Sequence, residues 1–277
     1  MEDYKKKYYE QSCCWDYDYL QNAAEKTRVE EIINNIPSDI HSVLDVGCGS
    51  GAFIDVLIRT FPYKLDRLLG LDSSFEALRH VKSEKIHGNI NNLSFRNNSF
   101  DFVSCFEILE HLPLEEFRKG ILELQRVSRK YIMITVPNNQ DLEQSLVICP
   151  ECQCWFNPYF HMRSFDKNIL LNLFENFKLI KTKEIGPTVK NLVHNRLLFL
   201  FYHSWRKTLP PVTSICPQCG YQRKGEFKNL NNNKSSIHLS SSFLSLFIPL
   251  IKLISPIREK KRWLLALYEK LKLRKKQ

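Results

Sequence analysis

Three glycines at alternate positions end the stretch Val43-Leu44-Asp45-Val46-Gly47-Cys48-Gly49-Ser50-Gly51, and a helical pattern, Ala52 to Thr60, follows at once. An apolar strand, a tight glycine turn and a helix start make a site that a ligand meets at the backbone. Glycine removes the Cβ from that approach and permits φ > 0, and the free N–H groups of a helix start favour polar or negative ligand groups. Dinucleotide folds place their glycines as G-x-G-x-x-G. Here the spacing is G-x-G-x-G, with Asp45 two residues before the first glycine, which disfavours an NAD-dependent oxidoreductase.

Beyond this stretch the chain alternates. Arg67 to Leu71 reads as a second strand ending at Asp72, 21 residues past Gly51. An acidic side chain at that place accepts hydrogen bonds from ribose hydroxyls; the plainer alternative is a helix cap. Ser73-Ser74-Phe75-Glu76 reads as a capping box. Lys85 to Gly88 reads as a third strand leading into Asn89-Ile90, Phe102 to Cys105 as a fourth leading into Phe106-Glu107, and Tyr131 to Val136 as a fifth. Leu114 to Val127, Val29 to Ile36 and Asp166 to Phe177 have helical spacing, and Leu179 to Ile185 reads as a sixth strand. Strands alternating with helices predict an α/β fold, a doubly wound, mostly parallel sheet with ligands at the carboxyl ends of its strands.

The glycine spacing, Asp72, and the strand ends at Asn89 and Phe106 together resemble the class I S-adenosylmethionine (SAM) methyltransferases, specifically over residues 40 to 140. The resemblance implies a seven-stranded sheet that holds SAM as cofactor. Asp45, Gly47, Gly49 and Gly51 would form the SAM loop and Asp72 would meet the ribose. Asn89, Ile90 and Phe106 would surround the adenine, with Asn89 standing where the family usually has Asp. The last, antiparallel strand is expected at Arg262 to Tyr268, an amphipathic terminal helix being the alternative. The chain then divides into an aromatic N-terminal lid segment (1–40), a core (41–186), an insertion (187–261) and a last strand with a basic tail (262–277). Within the insertion, Leu192 to Phe201 and Phe243 to Ile254 read as apolar helices.

Two further patterns carry chemistry. Cys149-Pro150-Glu151-Cys152 and Cys216-Pro217-Gln218-Cys219-Gly220 are paired C-P-x-C knuckles. Two residues between cysteines let both thiolates reach one ion, and two knuckles complete a closed, structural zinc site. Cys154 and His161 are the alternatives for one ligand place. Glu107, Glu110 and His111 resemble the segment of ubiquinone-type O-methyltransferases and small-RNA 2′-O-methyltransferases that holds a divalent cation. Carboxylates with imidazole suit Mg2+ or Mn2+; Glu107, His111 or His161 could instead act as a general base, or the segment could merely order its loop.

The net charge of +10 is concentrated at the end, where 252–277 hold ten basic and two acidic residues. The remaining 251 residues carry about +2, which argues against an extended nucleic-acid surface. With no apolar leader and no run long enough to span a bilayer, a cytoplasmic protein is expected, the tail being solvated or in peripheral contact with a membrane. Nine cysteines then imply thiols or metal ligands. The expected activity is methyl transfer to a small-molecule, glycan or lipid-linked acceptor, on a hydroxyl oxygen. RNA methylation and a non-catalytic SAM-binding or zinc scaffold are the competing readings.

Overall fold

A computed structural model describes residues 2–15, 19–62, 64–192, 210–223 and 257–272. The order of elements is α1 (Glu2–Tyr9), α2 (Ala23–Ile33), β1 (Ser42–Val46), α3 (Ala52–Thr60), β2 (Arg67–Asp72), α4 (Phe75–His80), β3 (Lys85–His87), β4 (Phe100–Phe106), α5 (Leu114–Val127), β5 (Ser128–Pro137), β6 (Val147–Ile148), β7 (Trp155–Phe156), α6 (Lys167–Leu171), β8 (Phe177–Leu192) and β9 (Ile257–Lys270). Seven strands form one sheet in the order β3-β2-β1-β4-β5-β9-β8. β1 to β5 pair in parallel, and β9 runs antiparallel to β5, from Tyr131 opposite Glu269 to Pro137 opposite Trp263. This is the class I methyltransferase sheet, with its last strand inserted between the fifth and sixth. The apolar run at 262–268 is therefore strand rather than helix, as expected.

The central strands are hydrophobic on both faces because helices cover both. All five residues of β1 are buried. On one face Leu44, Val103, Ile132, Ile134 and Tyr268 pack with Ile121 and Leu124 of α5. On the other, Val43, Phe102, Met133 and Leu265 pack with Ile32 of α2 and Phe53 and Leu57 of α3. Each such side chain stabilises the fold by roughly 1.5–3 kcal/mol.

Three helices differ from their sequence readings. The helix expected from Val29 starts earlier, at Ala23, because the Asn22 side chain accepts from the N–H groups of Ala24 and Glu25. The helix expected over 166–177 stops at Leu171; Asn172 and Asn176 are weak helix formers, and Phe174 and Phe177 turn into the core instead. The cap of α4 is Ser74, whose Oγ accepts from Ala77 N. The Glu76 side chain pairs with Arg79 instead of closing a box from Ser73.

Two compact units are present. One comprises Tyr9–Gln140, His161–Pro187 and Lys261–Gln277, and holds the sheet; the other comprises Met1–Tyr8, Asp141–Phe160 and Thr188–Lys260. The second unit thus gathers residues 141–160, expected within the core, with the segment expected as the insertion. Both apolar stretches, beyond Leu192 of β8, lie outside the described residues, as do 273–277 of the basic tail. No helix among the described residues is long and apolar enough to cross a membrane.

Candidate functional site

The glycine loop emerges from β1 and is pinned from two sides. Gly47 and Cys48 donate their N–H groups to Leu71 O, and Gly49 N donates to Asp72 Oδ2 at 2.8 Å. Gly47, Gly49 and Gly51 all have positive φ, at 78°, 54° and 86°. A Cβ on Gly47 would lie 2.3 Å from Cδ1 of Ile108, and one on Gly49 would lie 3.0 Å from the Trp15 ring. The alternate glycines therefore serve close packing as well as backbone approach. Ile108, between Glu107 and Glu110, rests directly on the loop.

Two buried carboxylates support it. Asp45 accepts from Ser104 Oγ at 2.7 Å, and burial pushes its pKa up to about 7. Asp72 holds Gly49 N with one oxygen and Ser74 N with the other, at 2.9 Å; burial raises its pKa as well. The capping alternative for Asp72 fails, because Ser74 fills that place. A carboxylate has about four acceptor positions, so Asp72 keeps capacity for a hydroxyl donor beside the loop.

The adenine expectations fare differently. Asn89 is exposed, and its Oδ1 accepts from Asn91 N. Ile90 is buried, its side chain against Gly120 of α5. Phe106 packs edge-on against Phe53, 4.9 Å between ring centres, in the cluster of α2 and α3. Ile90 lies in the cluster on the opposite face. The Phe106 and Ile90 side chains thus pack in different clusters of the core.

Two side chains that sequence reasoning missed complete the loop's surroundings. Glu10 accepts from the N–H groups of Phe75 and Glu76 at the start of α4. Trp15 lies on Gly49 and donates Nε1–H to Tyr9 O. Their only signal was the aromatic-rich character of the N-terminal segment.

After β4 the chain turns at Glu107, a non-glycine residue with φ of 56°, and carries Glu110 and His111 through a short 3-10 turn, Leu109–His111. Glu110 is fully buried, and neither carboxyl oxygen has a hydrogen-bond partner among the described residues. Burial and the nearby Glu107 push its pKa well above the ordinary range. His111 Nε2 lies 3.8 Å from Glu110 Oε1, and the His111 and His161 rings meet edge-on at 4.6 Å. Ligand atoms of Glu110, His111 and His161 all lie within 4.8 Å of one another. His161 comes from another segment, held by Met162 N donating to Glu110 O and by Arg163 Nη2 donating to Leu112 O. Burial and Arg262 hold His161 neutral, with a pKa of about 4. Its Nδ1 faces Gln140 Oε1, so Nδ1–H donates and Nε2 keeps its lone pair, the arrangement usual for a ligating imidazole.

Glu107 does not join this trio. Its carboxyl group hydrogen-bonds Thr135 and feels Arg28, although burial still raises its pKa. Arg28 reaches Thr135 Oγ1 at 3.1 Å. The trio fits a divalent cation: an ionised, unpartnered, buried carboxylate costs several kcal/mol, and a cation offsets that cost.

In the other unit the two knuckles converge. Sγ atoms of Cys149, Cys152, Cys216 and Cys219 lie within 4.8 Å of one another, with Cys149–Cys219 and Cys152–Cys216 at 3.6 Å. Tetrahedral ligands at a Zn–S distance of about 2.3 Å would stand about 3.8 Å apart. The knuckles share one backbone form. Gln153 N donates to Cys149 O and Cys149 N to Cys154 O; Gly220 N donates to Cys216 O and Cys216 N to Tyr221 O. Gln153 and Gly220, at matching places, both have positive φ. His161, an alternative zinc ligand by sequence, groups with Glu110 and His111 instead.

Residues 44–131 match the family model described as methyltransferase domain. An uncharacterized protein of Methanocaldococcus jannaschii is 26% identical over 192 residues, covering 67% of this chain and 75% of that protein. The small RNA 2′-O-methyltransferase of Arabidopsis thaliana is 29% identical over 140 residues, 43% of this chain and 14% of its own length. The ubiquinone biosynthesis O-methyltransferase of Albidiferax ferrireducens is 32% identical over 97 residues, 31% of this chain and 37% of its own. The matches to these two enzymes thus span well under two thirds of either.

Proposed function

We propose that this chain, whose residues 44–131 match a methyltransferase domain, is a SAM-dependent O-methyltransferase whose acceptor hydroxyl is held beside a divalent cation. The observation that carries this reading is Glu110, fully buried with no hydrogen-bond partner among the described residues and within ligand distance of His111 and His161. Asp45, Gly47, Gly49 and Gly51 would hold SAM with Asp72 at its ribose, and the backbone at Asn89-Ile90 would meet the adenine. SAM supplies a methyl group already activated on a sulfonium sulfur. Mg2+ or Mn2+ on the trio would lower the pKa of the acceptor hydroxyl. The protein's own tasks are then alignment and proton removal. Ile108, wedged on Gly47, fixes the acceptor-side residues against the donor loop. Glu107, outside the trio and raised in pKa by burial, is the group to accept the hydroxyl proton. Arg28 favours the ionised, proton-accepting form of Glu107.

The similarity to two O-methyltransferases supports oxygen as the acceptor atom. A near-neutral body favours a small-molecule, glycan or lipid-linked hydroxyl over RNA. The four cysteines would hold a structural zinc ion that shapes the surrounding segments. SAM with a labelled methyl group, offered to glycan, lipid, RNA and protein fractions with and without a chelator, tests the reading. Chelator-sensitive, base-stable transfer to a glycan or lipid fraction is expected. Transfer confined to RNA would move the acceptor class, and SAM binding without transfer to any fraction would favour a scaffold protein.

A further inference from the structure

The knuckle unit holds a fifth thiol with no counterpart in the second knuckle. Aligning the knuckles by their shared hydrogen bonds pairs Cys149 with Cys216, Cys152 with Cys219, Gln153 with Gly220, and Cys154 with Tyr221. Cys154 therefore occupies the place that follows a finished knuckle, outside the ligand positions. Its Sγ nevertheless lies 3.3 Å from Cys216 Sγ, closer than the 3.6 Å between Cys152 and Cys216. Cys216 itself is buried, but Cys154 beside it is half-buried and Cys219 of the same cluster is exposed, so a small oxidant would approach Cys216 past these two.

We propose that Cys216 and Cys154 form an oxidation site, with Cys154 the resolving thiol, through which hydroperoxides open the zinc centre. The proposal rests on the zinc reading of the four cysteines. The Cys216 thiolate attacks the O–O bond of a hydroperoxide, taking the distal oxygen as a sulfenic acid. The other oxygen leaves and takes a proton from solvent, as water or an alcohol. Cys154 then attacks the Cys216 sulfur and forms the disulfide. The hydroxide displaced combines with the Cys154 proton to leave as water. Two electrons pass from the two sulfurs to the peroxide, and zinc loses one of its four ligands.

The test uses the zinc-loaded full chain, titrated with hydrogen peroxide. A chromogenic chelator follows zinc release, and peptide mass spectrometry under non-reducing conditions maps the products. The wild type is expected to release zinc with a Cys154–Cys216 disulfide and to rebind it after reduction. Cys154→Ser should bind zinc as well as the wild type, since it removes no ligand. Under peroxide its Cys216 should instead pass to sulfinic and sulfonic acid, and zinc should not return on reduction. Equal release and equal recovery in Cys154→Ser, or a disulfide confined to the other cysteines, would overturn the proposal. A wild-type protein purified without zinc would overturn the zinc reading beneath it. Zinc loss from Cys154→Ser before oxidation would instead make Cys154 a ligand and end the resolving role.

Discussion

Gly47→Ala isolates the contact that joins donor loop to acceptor side. The substitution meets two penalties. Gly47 has φ of 78°, where an L side chain costs about 1–2 kcal/mol. The new Cβ would also lie 2.3 Å from Cδ1 and 2.5 Å from Cγ1 of Ile108, and overpacking of this kind costs about 1–3 kcal/mol. Together these predict a loss of about 2–5 kcal/mol, a large share of a typical domain's stability. Ile108→Ala removes both clashing atoms, since its own Cβ would stand 3.7 Å away. In the double variant the steric part should disappear and the backbone part remain. The two substitutions should therefore be non-additive by about 1–3 kcal/mol. Urea unfolding of the four proteins, followed by circular dichroism, measures this directly. Additive effects, or a Gly47→Ala variant within about 0.5 kcal/mol of wild type, would refute the reasoning.

Three other outcomes follow. Asp45 has its pKa raised from 3.8 to about 7, so its folded form holds the proton more tightly. Its contribution is fully present below pH 4 and is lost as pH rises through about 7. Asp45→Asn should therefore gain on the wild type by up to about 4 kcal/mol between pH 4 and pH 8, read as the difference in unfolding free energy without SAM. Glu10→Ala, which strips acceptors from Phe75 N and Glu76 N, should cost about 1 kcal/mol in the same assay without altering zinc content. Cys216→Ser with Cys219→Ser should abolish bound zinc by elemental analysis; unchanged metal content would refute the four-cysteine site.

Much of the fold was legible because the signals were local. Strands β1, β2, β4, β5 and the middle of β9 follow from apolar runs, and α3 and α5 lie over 52–60 and 114–127 as their spacing predicts. The knuckles are equally local, since spacing alone decides which thiolates can share an ion. The failures lie where direction depends on distant packing. The Glu107 carboxyl, on a residue with positive φ, hydrogen-bonds Thr135 and stands outside the group of Glu110, His111 and His161, and nothing in E-x-x-E-H marks this. Phe106 ends its strand on the face of Phe53, a contact that its position at a strand end does not reveal. Glu10 and Trp15 act on groups 34 to 66 residues away. Gln140, which sets the His161 tautomer, had no motif at all.

The cation site carries the central claim, and Mn2+ binding tests it most directly. Zinc-loaded wild type, Glu110→Gln and His161→Ala would each be titrated with Mn2+, with free ion read by electron paramagnetic resonance and SAM affinity measured alongside. The wild type should bind one Mn2+ per chain, and each variant should bind it about tenfold or more weakly while keeping its SAM affinity. No Mn2+ bound to the wild type, or equal affinity in all three proteins, would contradict the assignment of Glu110, His111 and His161 to a cation beside the acceptor.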